Sequence, residues 1–302
     1  MIKTPLSTVI GGAFWTPGAT VINGAKLSFE TVMKKLFANG EQGFWYDPSD
    51  MGTMFQDAAG TTVVNATGQP LGLMLDKSKG LRTGANLIPQ KSFAEGTTGW
   101  TLQSGWTLTG GKVSNQTGNT SLESPLQLVV GKLYRITLNT RRTSKGGTLS
   151  IRSGVTIDTQ MVDSSVDGVQ SFLLRPTIST NTLRFQSAQW MGDIYSVEVV
   201  EIQGNHAYQA TSASRPILRD APRRIDFDAV DDKLITNLPA QLTGCTVIRA
   251  VPGVGAQILT NQTIPATYED NKDHCGLIVI NRALTPSETS AIATEFNKRA
   301  GV

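Results

Sequence analysis

Cysteine, histidine and charge are all scarce. The 302 residues include two cysteines and two histidines, and 17% are charged. Cys245 and Cys275 are too few for a disulfide framework; they fall in one segment and so could pair with each other, although a cytosolically made chain normally keeps such thiols reduced. His206 and His274 stand in no CxxC or HxxxH spacing, so zinc has no signature here. There is no G-x-S-x-G elbow, and Pro252-Gly253-Val254-Gly255 is a turn without the lysine of a phosphate loop. A net charge of +3, with tight arginine pairs only at Arg141-Arg142 and Arg223-Arg224, leaves no electrostatic footprint for nucleic acid. No apolar run approaches a membrane span, and the patch from Val9 to Trp15, broken by Gly11 and Gly12, is too short for a signal segment. The expectation is a chain without cofactor, nucleic-acid partner, membrane insertion or catalytic residues, and so not an enzyme.

The densest acidic cluster is Asp226, Asp228, Asp231 and Asp232. The first two share a face of an expected strand and the second two read as a turn. Exposed acids therefore explain them better than a calcium site, and no metal is expected. Nothing singles out a carboxylate pair for glycoside hydrolysis.

What the chain does have is Thr, Ser, Asn, Gln and 30 glycines, the composition of many short strands joined by polar turns. Two helices stand out at the margins. Phe29, Val32, Met33, Leu36 and Phe37 recur at helical spacing, Ser28 suits the N-cap and Gly40 the C-terminal end, which predicts a helix over 28–39. Its lysines, Lys34 and Lys35, fall on the solvated face. Thr285-Pro286-Ser287-Glu288 is a capping box opening a final helix that ends at Gly301. Before it, 275–280 is an apolar, β-branched run suited to a buried strand.

Strand signals crowd the middle. Tyr134, Ile136 and Leu138 alternate with Arg135, Thr137 and Asn139; Leu183 and Phe185, and Val197 and Val199, alternate in the same way. Further strands are expected at 106–109, 126–130, 149–152 and 169–174, with Gly110-Gly111 and Gly146-Gly147 turning the chain between them. This spacing makes an antiparallel sandwich. The phrase Asp76-Lys77-Ser78-Lys79-Gly80 before it and Gly204-Asn205-His206-Ala207-Tyr208 after it read through as one polar turn once 86–202 is removed, as when a self-folding module is inserted in a loop. The fold class is mainly β: an antiparallel β-sandwich or jelly roll inserted into a second, smaller β-rich domain with an N-terminal and a C-terminal helix. The expected units are an attachment arm over 1–25, a discontinuous outer domain over 26–80 plus 204–302, and the inserted sandwich over 84–203.

Asn86-Leu87-Ile88-Pro89, Gly99-Trp100, Gly105-Trp106-Thr107-Leu108, Gly131-Lys132-Leu133-Tyr134 and Gly192-Asp193-Ile194-Tyr195 resemble carbohydrate-binding-module-like jelly rolls. The flanking phrases 40–48, 69–78, 209–218 and 225–234 resemble tailed-bacteriophage virion proteins with a concanavalin-like or laminin-G-like shell. About fifty residues separate Asp232 from the last helix, which predicts a shortened second β layer. The resemblance implies a virion structural protein (a decoration, collar or tail-attached fibre subunit) that self-associates, contacts other capsid, neck or tail proteins, and is assembled in the host cytoplasm. The alternative it implies is a receptor-recognition module for a host cell-surface glycan. Trp100 and Trp190 are the candidate sugar-stacking residues, with Trp106 expected in the core. Phe14 and Trp15 are the candidates for docking the arm on a partner.

Overall fold

The alternating segments of the middle of the chain become two stacked sheets. A computed structural model describes residues 8–10, 13–15, 28–88, 91–144, 146–154, 157–162, 165–177 and 180–302. One sheet of the inserted module has the strand order Gly168–Leu174, Leu133–Arg142, Gly192–Ile202, Lys112–Asn115, Trp106–Thr109. The facing sheet runs Ile157–Val162, Thr148–Ser153, Leu183–Ala188, Ser121–Ser124, Thr101–Leu102. All pairings are antiparallel. Period-two alternation sends Ile136 and Leu138 of one sheet, and Ile151 and Phe185 of the other, into a shared core of twenty buried residues. Gly110 and Gly111, with φ of 59° and 78°, close the tight hairpin in which Thr109 faces Lys112. A two-residue turn with both central residues left-handed matches the twist of its strands.

Two expectations about this module need correction. Residues 126–130 are not a strand; within them Leu128 makes a single bridge to Thr180, and Pro125 and Gly131 bracket a segment too interrupted to join a ladder. Conversely, Ile157–Val162 and Ser121–Ser124 are strands that their polar composition concealed.

The outer module has three layers. A five-stranded sheet, in the order Thr267–Asp270, Leu234–Asn237, Ala207–Tyr208, Leu73–Met74, Met54–Phe55, packs on a four-stranded one, Gly255–Ile264, Leu242–Val251, Leu277–Ile280, Gly43–Tyr46. Phe44, Tyr46, Met74, Leu234 and Val247 fill the space between them. The second layer is one strand shorter than the first, and Gly43–Tyr46, from before the insertion, completes it. Helices α1 (Phe29–Leu36) and α2 (Pro286–Ala300) cover its other face, burying Leu36, Ile292 and Phe296 against Ile248, Ile278 and Ile280. Residues 277–280 are therefore buried on both faces, as a continuous apolar run requires. Ser28 caps α1 as expected, accepting from Thr31 N, but the helix ends at Leu36 rather than near Gly40. The capping box of α2 forms as read, with Gly301 left-handed at its end.

Every strand from Thr101 to Ile202 pairs within its own module, and the strands before and after that interval pair with one another. Thr8–Ile10 and Ala13–Trp15 form a small antiparallel hairpin. The side chains of Phe14 and Trp15, and most of the 1–25 arm, lie outside the described residues.

Candidate functional site

The polar residues of most consequence gather where the chain crosses between modules. Outgoing 82–84 and returning 201–203 run antiparallel: Gln203 N donates to Arg82 O and Gly84 N to Glu201 O, both at 2.9 Å, with Thr83 facing Ile202. Directly behind this two-stranded stalk lies Asp76, fully buried. Its Oδ1 accepts from Trp45 N (2.9 Å) and Ser78 N (2.8 Å), and its Oδ2 from Asn205 N (2.8 Å) and the Ser78 hydroxyl (2.9 Å). One carboxylate thus holds the outgoing strand, the returning strand and the edge strand Gly43–Tyr46. Burial pushes its pKa up against the pull of those donors.

His206 completes the clasp. Its Nδ1 accepts from Asp76 N and its Nε2 lies 3.0 Å from Ile202 O. Those partners specify a neutral ring protonated on Nε2, and burial accordingly holds the imidazole below its ordinary value of 6.5. Gly204 lies between the two, at φ +143°. A Cβ there would come within 3.1 Å of the Asp76 carboxyl and the His206 ring, so only glycine lets the returning strand approach so closely. Asn205 Nδ2 donates to Gly43 O, and the Tyr46 hydroxyl donates to Asn205 O.

An ionic knot fastens the same strands to α2. Asp47 Oδ1 receives Arg299 at 2.6 Å and its Oδ2 receives Lys77 at 3.1 Å, and Lys77 also reaches Asp50 at 2.7 Å. Burial pushes Asp47 up, but Arg299, the Ser49 hydroxyl and Lys77 outweigh it and hold the carboxyl below the usual range. Around the stalk the modules meet on a small apolar patch, Leu73 and Leu75 of one against Leu133 of the other, with Leu173 pressed against Gly60. Arg175 of the inserted module lies 3.3 Å over the Tyr208 ring. The inserted module is seated on the outer one at this patch as well as joined to it by chain.

The residues singled out in the sequence fare differently. Trp190 is 1% exposed and Trp100 8%, and both belong to the sandwich core. Trp190 packs on Trp106, and Trp100 between Phe93 and Phe185. Neither indole offers a free face to a sugar; the sandwich needed their bulk inside. Asp228, Asp231 and Asp232 do converge within 4.8 Å. Their oxygens are engaged locally: Asp228 Oδ1 accepts from the amides of Val230, Asp231 and Asp232, and Asp231 from the Ser214 hydroxyl. Asp226 ends its strand and pairs with Arg219 and Arg224, so Asp228 lies in the turn beyond it instead of sharing its strand face. Cys245 and Cys275 are free thiols in separate cores on opposite faces of the four-stranded sheet. Burial pushes Cys275 up to about 11.

Two features escaped the sequence. One is a buried charge group in which Asp270, 2% exposed, receives Arg249 at 2.7 Å and has His274 Nε2 3.0 Å away, too poorly aligned for a hydrogen bond. The other is a pocket of about 440 Å³ between α1 and the outgoing stalk, lined by Lys34, Phe37, Trp45, Lys77, Lys79 and Arg82 among others. Both draw residues from distant parts of the chain, and only their charge was visible beforehand. Among the described residues no helix is long and apolar enough to cross a membrane. No protein-family model matches the chain, and no curated protein matches its sequence.

Proposed function

We propose that this chain is a non-enzymatic structural subunit of a tailed-bacteriophage particle, whose outer module attaches to the particle and whose inserted sandwich projects from it. The observation that carries the reading is the crossing point. Two antiparallel strands side by side, clasped by one buried carboxylate, join the inserted module to the outer one at a single crossing, which supports reading it as an extension that projects away from the attached module. A seated apolar patch resists bending at that point, as a projecting element must. The phrases resembling virion proteins lie on both sides of the insertion, in the module assigned to attachment. Burial at subunit contacts would carry the function, and a symmetric particle implies self-association of this chain.

Imaging the intact particle at a resolution that traces this chain tests the proposal. The expected result is the outer module against other particle proteins, with 84–203 pointing to solvent. A particle that lacks the chain, or one that buries the sandwich among capsid or tail proteins, overturns it. The rival reading, a glycan receptor using Trp100 and Trp190, loses its stacking surface because both indoles are core residues.

A further inference from the structure

The pocket beside the stalk is chemically one-sided. Lys34, Lys77, Lys79 and Arg82 line it against one carboxylate, Glu30. Two of those cations are already engaged: Lys77 by Asp47 and Asp50, and Lys79 by Glu41 O at 2.9 Å. The ammonium of Lys77 also lies 4.7 Å over the Trp45 ring and that of Lys79 5.9 Å over Phe37. They are thereby held in place at the pocket wall. The side-chain cations of Lys34 and Arg82 have no ion-pair or hydrogen-bond partner among the described residues, and both residues are exposed. Lys34 comes from the polar face of α1 and Arg82 from the stalk, so the fold brings two uncompensated cations from separate elements to one concavity.

The remainder of the wall is not built for a bare ion. Met33 and Phe37 supply apolar surface, while Glu30, Ser78 and Gln203 supply groups that accept or donate to hydroxyls. The volume falls within the roughly 300–1,000 Å³ typical of small-molecule sites. The chain's own first 27 residues are a poor match in charge, since they contain Lys3 and Lys26 and no acid.

We infer that this pocket binds an anionic saccharide unit, a sugar ring bearing a carboxylate or a phosphate. The oxyanion sits between Lys34 and Arg82, the hydroxyls meet Glu30, Ser78 and Gln203, and the ring lies against Met33 and Phe37. The inference stands apart from the particle assignment and places recognition in the outer module, not on the tryptophans of the sandwich.

The test is titration of the purified full-length chain, followed by calorimetry and by tryptophan fluorescence, with three probes: a glucuronate disaccharide, glucose 6-phosphate and glucose. Saturable binding of either acidic probe, at least about tenfold tighter than glucose and weakened by added salt, is the expected result. Which acidic probe binds more tightly identifies the source of the oxyanion. The double substitution Lys34→Glu with Arg82→Glu, both at exposed positions, is expected to weaken that binding by at least about tenfold, because it places like charges against the ligand. Lys233→Glu, at the residue just before the strand Leu234–Asn237 and absent from the pocket lining, is expected to leave it unchanged; a thermal scan of each variant verifies folding. No saturable binding of either acidic probe, equal binding of glucose, or binding that survives the double reversal overturns the inference.

Discussion

Replacing Asp76 by alanine removes the acceptor for three backbone amides and one hydroxyl, each at 2.8–2.9 Å. A buried donor stripped of its acceptor costs about 1–3 kcal/mol. The Ser78 hydroxyl can turn elsewhere, and water can reach the half-buried amides of Ser78 and Asn205. Removing a buried carboxylate also recovers part of its desolvation. These offsets bring the net loss to about 3 kcal/mol, a large share of the roughly 5–15 kcal/mol that stabilises a domain. Hydrogen exchange on the intact chain reads the effect locally. A loss of 3 kcal/mol by opening around the clasp corresponds to roughly a hundredfold faster exchange at the amides of Trp45, Ser78 and Asn205. The amides of Ile136 to Leu138, inside the sandwich, belong to a separate core and are expected to keep their protection. Asp76→Asn retains one acceptor oxygen and should lose about half as much, on the order of 1–2 kcal/mol. Acceleration below about threefold at the three amides, or an equal loss inside the sandwich, would refute the clasp.

Other outcomes follow from the same geometry. Gly43 sits at φ +138° with a would-be Cβ only 1.9 Å from Val279 O. Gly43→Ala is therefore expected to cost about 3 kcal/mol or more in the outer module, read as a lowered unfolding midpoint in urea. Trp190→Ala should cost about 3–5 kcal/mol in the sandwich, seen as loss of its cooperative transition; full stability with a lost ligand would restore the stacking role. Acid should weaken the fold in two stages. His206 is held below 6.5, so as pH falls through about 6.5 the unfolded chain takes up that proton first and this contribution to stability begins to drop. Asp47, Asp270 and Glu288 are held below their ordinary values, Glu288 to about 2 mainly by Arg282. Their contribution is complete above the unfolded carboxylate range and is lost as pH falls through the folded values. Thermal midpoints measured from pH 8 to pH 2 check both stages, and His206→Asn, which keeps an acceptor near Nδ1, should flatten the first.

Much of the architecture was legible because local chemistry and final environment agree. The strands over 133–142 and 183–188 alternate and are buried on one side. The α2 capping box and the Gly110-Gly111 turn carry their geometry in adjacent residues. The missed strand over 157–162 mixes Asp158, Thr159 and Gln160 with its apolar residues, so period two was obscured. Aromatic content alone did not separate a platform from a core at Trp100 and Trp190, since both roles use the same surface. The clasp was visible only as matching flanks. Asp76 and Asn205 are 129 positions apart, and no local pattern says that one carboxylate spans them. Lys34 read as a solvated lysine because nothing in α1 foretells that Arg82 will arrive beside the same pocket.

The central claim is that 84–203 is a self-contained module carried on a pinned stalk, and its most direct test is to produce that segment alone and unfold it in urea, observing Trp100, Trp106 and Trp190. A single cooperative transition, with its midpoint close to the one those residues report in the intact chain, is the result expected of a sandwich with its own core. A gradual, non-cooperative change, or a segment that stays unfolded until the outer module is supplied, would contradict the claim.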